Sequence, residues 1–327
     1  MKKLLTLLAL TISFSMNSQV STHSTSNGGL RSSAIGAWSN AAADYSFASG
    51  RSTTASGYGS TVFGRNSTSS GDYSTAMGYN TNASGVYSTA MGYQSTASGN
   101  FSTAMGESTT PSGNYSTAMG SYTSASGTAS TAMGSGTIAS GNSSTATGYF
   151  TTASGTNSTA LGRVTVASDY ASVVIGQYNS SGSSATSYTS ADSFSTSAPA
   201  FVIGNGTDSS NKSDAFKVMF NGDTTVGGDI TISSDARLKS NIVSLGSTLS
   251  KLLLIDGKSY EKDGKQRIGL LAQEIQEVFP ELVSEDDNEM LAVNYQGLVP
   301  VLINALKEQN EKIDRLEKLV EKIVSKQ

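Results

Sequence analysis

The sequence predicts a mainly β protein: a short-coil solenoid, then a small β cap, then an α+β domain that ends in a long helix. Three observations predict it. A fourteen-residue period runs without a slip from Ile35 to Gly176, the basic residues gather after Ser233, and an apolar 3-4 alternation fills the C-terminal stretch. Six Lys and Arg lie between Ser21 and Ser233, against thirteen between Ser234 and Gln327. The chain thus changes at Ser234 from a nearly uncharged Ser/Thr/Gly/Ala field to an ordinary charged domain.

Composition narrows the function. A net charge of −4 and the lack of a basic block in the upstream field give no reason to expect nucleic acid. There are no cysteines, which excludes disulfides and a thiolate zinc site. The single His23 sits in a polar tail without partner ligands. No metal and no cofactor are expected.

Taken in order, residues 1–18 read as an export signal: Lys2-Lys3, an apolar run from Leu4 to Phe14, and small Ser18 before Gln19. The run falls short of the roughly 20 residues that span a bilayer. The mature chain is expected to be secreted or held at a cell surface, without a transmembrane segment. Residues 19–34 form a polar tail.

Residues 35–176 are the repeats. One glycine column runs from Gly36 through Gly92 to Gly176, preceded by an apolar column that includes Phe63, Met77, Met91, Met105, Met119, Met133, Leu161 and Ile175. A second glycine column falls midway, at Gly57, Gly71, Gly85, Gly99, Gly113, Gly127, Gly141 and Gly155. A fixed short period with paired glycines marks stacked coils. Each coil is expected to hold two strands of about five residues, with glycine supplying a positive φ in the turn after each. At about 4.8 Å per coil the stack would be roughly 50 Å long. One Met and a few Ala or Thr per coil make a thin core, which three stacks side by side would share. A low-complexity flexible tract is the competing reading. Thr75, Thr89, Thr103, Thr117, Thr131, Thr145 and Thr159 form a ladder that would suit ice or a glycan, or simply stacking.

Residues 177–198 lose the register and read as a linker. Residues 199–233 read as a cap of short strands at Ala200–Ile203, Ala215–Phe220, Thr224–Val226 and Asp229–Ile232, separated by Gly-containing turns. Residues 234–298 are apolar enough for a core, with a hairpin around Tyr260 and Arg267–Leu271 and a helix over Ala272–Phe279 that stops at Pro280. In residues 299–327 the alternation Val299, Leu302, Leu306, Gln309, Ile313, Leu316, Val320, Ile323 is a coiled-coil seam. Leu319 and Val324 widen it, which favours more than two strands. A helix packed on its own domain is the alternative.

The repeat unit, a Ser-x-Ala-(apolar)-Gly strand before an Ala-x-Gly strand, resembles the head repeats of trimeric autotransporter adhesins. That resemblance implies a trimeric left-handed parallel β-roll, although no membrane-anchoring barrel follows the repeats. The pieces Ser234-Asp235-x-Arg237-Leu238-Lys239, Gly269–Glu274, Phe279-Pro280-Glu281, Val293-Asn294-Tyr295 and the Leu298–Lys307 helix resemble the self-cleaving intramolecular chaperone of phage tail spikes and endosialidases. This second resemblance implies an α+β chaperone domain ending in a trimeric coiled coil. It makes Ser234 the nucleophile and Lys239 the general base, with the cut between Ser233 and Ser234 and with Asp235 and Arg237 in support. A serine hydroxyl needs a base, and a lysine serves only if its pKa is brought toward neutrality. Without the resemblance, Ser234-Asp235 reads as a helix N-cap and Lys239 as a solvated charge. The expected whole is an exported homotrimeric fibre or adhesin, with its own copies as partners and a cell-surface or glycan receptor as the candidate ligand. The competing class is an uncleaved fibre whose last domain only trimerises.

Overall fold

The computed structural model describes residues 25–180, 191–262 and 264–325, and the chain divides into two units between Thr231 and Ile232. The expected signal, His23 and the middle of the 177–198 segment lie outside these residues.

The first unit is a parallel β-solenoid, as the period predicts. Each coil gives a five-residue strand such as Thr89–Tyr93 and a two-residue strand such as Thr96–Ala97, not two of equal length. Like pairs with like fourteen residues on: Ala90 faces Ala104, Met91 faces Met105 and Gly92 faces Gly106. The coils start ahead of Ile35, because Ser26–Asn27 already pairs with Asn40–Ala41. The short-strand sheet is divided at Thr110–Pro111, where proline has no amide hydrogen to add to the ladder.

The interior of each coil belongs to alanine and small hydroxyls. Ala90, Ala97, Ala104 and their repeats have no exposed surface, and Ser88, Ser95 and Thr109 are buried beside them. Thr109 Oγ1 donates to Ser95 Oγ at 2.9 Å, and Ser116 Oγ donates to the Gly113 carbonyl at 2.6 Å, whereas the buried hydroxyls of Ser88, Ser102 and Thr137 have no protein partner among the described residues. The methionines are not part of this interior. Strand alternation turns Thr89 and Met91 outward, where they are half-buried, while Ala90 between them points in.

The two glycine columns have different causes. Gly92 has φ +112°, and a Cβ there would sit 2.1 Å from the Gly106 carbonyl oxygen. Gly99 has no positive φ; it is required because a Cβ would lie 2.0 Å from the Gly113 carbonyl oxygen. The left-handed turn positions expected for that column fall on other residues, including Tyr73, Tyr87, Phe101 and Tyr115 at φ between 56° and 59°. Each such turn strains an L-residue by roughly 1–2 kcal/mol.

The solenoid runs on past Gly176. Pro199–Asn205 pairs in parallel with Val173–Gln177, with Ile203 opposite Ile175 and Gly204 opposite Gly176, so the first cap strand is one more rung of the long sheet. Asp214–Met219 and Thr224–Val226 follow antiparallel, and residues 229–232, expected as a strand, form none. The buried Asn179 finishes the short-strand side. Its Oδ1 accepts from the Val166 amide at 2.8 Å and its Nδ2 donates to the Val166 carbonyl at 3.0 Å, so the side-chain amide imitates one more strand.

The second unit is α+β. Leu249–Leu252 is a single helical turn, Lys258–Lys262 and Lys265–Gly269 form the expected hairpin, and Ala272–Val278 is helical. Val283–Glu285 pairs antiparallel with Leu291–Val293, and Leu298–Val324 is the 27-residue terminal helix. Ile275, Phe279, Leu282, Leu298 and Val301 make its core. The terminal helix buries Leu298, Val301 and Ala305 against its own domain, while Leu302, Leu306, Ile313, Leu316, Val320 and Ile323 of the expected seam are exposed.

Candidate functional site

Ser234, Asp235, Arg237 and Lys239 come together around one turn of 3-10 helix, Ala236–Leu238. Asp235 caps it: Oδ1 accepts from the Arg237 amide at 2.9 Å. The Arg237 guanidinium then folds back onto the same carboxylate, with Nη2 at 2.6 Å from Oδ2. This pair holds the Asp235 carboxyl below its usual range, chiefly through the guanidinium and secondarily through the backbone amide. Asp235 in turn raises Arg237. The turn reverses the chain so that Lys239 returns over Ser234, and the Lys239 Nζ lies 2.6 Å from the Ser234 Oγ.

In a single chain this site is open to water. Every residue from 231 to 247 is exposed, the apolar Leu238, Ile242, Val243 and Leu245 among them. Ser233, whose carbonyl precedes Ser234, is exposed as well.

The first buried residue after this stretch is Thr248, and its anchor was not visible in the sequence. Glu308, on the terminal helix, accepts hydrogen bonds from Ser247 Oγ at 2.6 Å and from the Thr248 and Leu249 amides. It thereby caps the turn Leu249–Leu252 from some sixty residues away, while Thr248 Oγ1 donates to the Val301 carbonyl at 2.9 Å. The Ser247 hydroxyl, then the Thr248 amide, hold the Glu308 carboxyl below the usual range. Ser247-Thr248 before Leu249 is a readable cap signal, but nothing local pairs it with a glutamate so distant. A second unforeseen contact is the Tyr295 hydroxyl, which accepts from the Leu270 amide at 2.9 Å. Gly269 leaves room for it, since a Cβ there would lie 2.9 Å from that oxygen.

Among the described residues no group of acidic or imidazole side chains is placed to hold a metal, and no helix is long and apolar enough to cross a membrane.

Two parts of the chain match known families. Residues 234–284 match the chaperone of endosialidase, beginning at Ser234 itself, and stretches from 28–53 to 153–179 match the YadA head domain repeat. The chain therefore carries an endosialidase-type chaperone segment behind YadA-type head repeats, which bears out both resemblances drawn from the residues.

Among curated proteins it is similar to the long tail fiber protein Gp37 of Escherichia phage AR1, 35% identical over 92 residues, or 24% of this chain. The same-named protein of Enterobacteria phage K3 is 33% identical over 100 residues, or 27% of this chain. The chain spans about 8% of the length of these relatives.

Proposed function

We propose that three copies of this chain assemble through the seam of the terminal helix into an exported fibre or adhesin. The segment from Ser234 onward guides that assembly and then cuts itself free. The observation that carries the cutting is the 2.6 Å separation of Ser234 Oγ and Lys239 Nζ.

A lysine acts as a base only as the free amine, a form that removal from water favours. The free amine of Lys239 takes the Ser234 hydroxyl proton as Oγ attacks the Ser233 carbonyl carbon. The C–N bond to Ser234 breaks, its nitrogen receives the proton from Lys239, and an ester joins Ser233 to Ser234 Oγ. Water then opens the ester, leaving a carboxyl at Ser233 and restoring the hydroxyl of Ser234. Asp235 and Arg237 keep the turn closed while this happens. Burial of the exposed apolar stretch 238–245 by neighbouring copies would dry the site, so that cutting waits for assembly. Mass spectrometry of the purified chain tests the proposal: it expects two fragments meeting between Ser233 and Ser234, and an intact chain from Ser234→Ala. An intact parent chain in a fully assembled trimer overturns it.

The second reading, trimerisation without cutting, is favoured by the exposure of both dyad residues in the single chain. The same measurement separates the two. Export through residues 1–18 and binding of a surface or glycan receptor by the fibre complete the proposed role.

A further inference from the structure

The solenoid carries few charges, and two of them lie side by side. Arg51 and Arg65 end neighbouring long strands and are register partners, so their Cα atoms sit about 4.8 Å apart. Like charges at facing positions of adjacent strands repel. Stacking does not demand them there, because Tyr79, Glu107, Ser121 and Gln177 hold the same position in other coils.

The two side chains lean in opposite directions along the stack. The Arg51 guanidinium lies over the Trp38 ring of the coil before, 5.2 Å from its centroid. That of Arg65 lies over the Tyr79 ring of the coil after, at 5.5 Å, and Tyr93 braces Tyr79 from its other side. Ring faces hold a guanidinium in place but bring no net charge to neutralise it. Neither guanidinium makes an ion pair or a hydrogen bond among the described residues. The carboxylates of these coils are engaged at the opposite turn: Asp44 Oδ1 accepts from the Leu30 amide at 2.7 Å and Asp72 Oδ1 from the Tyr58 amide at 2.9 Å. Both arginines are exposed, as are Ser52 and Asn66, the turn residues that follow them.

We propose that Arg51 and Arg65 form a binding site for an acidic sugar, whose carboxylate or sulfate accepts N–H groups from both guanidiniums. The planar forks match such oxyanions two bonds at a time. Ser52 and Asn66, next in the chain, bring a hydroxyl and an amide suited to sugar hydroxyls. A nucleic acid would need a track of positive charge, and no Lys or Arg lies between Arg65 and Arg163. The inference names a ligand class for the receptor role proposed above and rests on that reading.

Isothermal titration of the full chain at low salt tests it with four probes. These are an oligogalacturonate carrying carboxylates, a heparin octasaccharide carrying sulfates as well, neutral maltooctaose and an oligothymidylate. The expected result is binding of one or both acidic sugars, weakening as salt is raised, and of neither other probe. Binding of the first identifies a carboxylate as sufficient; binding of the second alone identifies the sulfate. Arg51→Ala and Arg65→Ala should each weaken binding about three- to ten-fold, and the double variant should abolish it. Arg51→Lys should weaken it too, because the charge stays and the fork is lost. Arg163→Ala is the control: that arginine lies over Tyr178 at 5.3 Å but has Tyr149 and Gln177 as register partners, so binding should not change. No binding of either acidic sugar, an equal loss from Arg163→Ala, or equal binding of oligothymidylate overturns the proposal. Binding of maltooctaose in their place keeps the receptor reading and overturns this one.

Discussion

The two units solve the problem of a core in opposite ways. In the solenoid the interior closes within one chain: alanines and hydroxyls are buried in coil after coil, and some of those hydroxyls pair with the neighbouring coil, as Thr109 does with Ser95. In the C-terminal unit a small cluster around Ile275 and Phe279 is buried, while Leu238, Ile242, Val243, Leu245, Leu253 and Leu254, with Leu306, Ile313, Leu316 and Val320 on the terminal helix, are exposed. Apolar area left in water forfeits roughly 25 cal/mol per Å². The difference teaches where the proposed assembly would act: the repeats close coil by coil, and the charged domain is the part with apolar surface for partner copies to cover.

The largest expected effect tests whether that demand is tied to chemistry. Ser234→Ala, and separately Lys239→Met, should convert a fully cut preparation into an intact one by mass spectrometry. Next, Leu306→Asp with Ile313→Asp should reduce the trimer to monomer in light scattering after size exclusion, and should stop cutting although the dyad is untouched. Cutting by that monomer would break the link between assembly and cutting. Third, Gly92→Ala should injure the solenoid alone. Its Cβ would meet backbone 2.1 Å away at a φ that disfavours side chains, and a loss of roughly 3 kcal/mol or more is expected in thermal denaturation followed by circular dichroism. A trimer that still forms in that variant would sharpen the comparison.

The smallest effect is a pH dependence. Glu308 has a folded-state pKa below that of the unfolded chain, so its contribution is present above the ordinary carboxylate value and is lost as pH falls through the depressed one. The melting temperature of the second unit should drop below about pH 4. Glu308→Gln should flatten that part of the profile, and an unchanged profile would remove Glu308 from its place as anchor.

Much of this was legible in the sequence, for identifiable reasons. The solenoid follows from a period that never slips, since stacking coils in register forces like residues to meet. The second unit's hairpin and its two longer helices followed from alternation and from Pro280. What was missed depended on direction or on distance. An apolar column usually points in, which assigns Met91 to the core, but alternation from Ala90 turns it outward. The midway spacing makes Gly99 a turn glycine, whereas it is set by the approach of the next coil, which no local pattern records. Asn179 and Glu308 act on backbone far along the chain. At the candidate site the residues were legible through their resemblance, and the 2.6 Å approach of Lys239 to Ser234 needed the fold of the turn.

The end piece supplied by Asn179 has a further consequence. Each coil touches only its neighbours, and the last one is closed on its short-strand side by the Asn179 side-chain amide and on its long-strand side by Pro199–Asn205. Deleting or duplicating any one fourteen-residue unit therefore leaves both ends intact and changes reach by about 4.8 Å. Length in this molecule can be inherited as an integer, adjusted by recombination between near-identical stretches without redesigning what lies at either extremity.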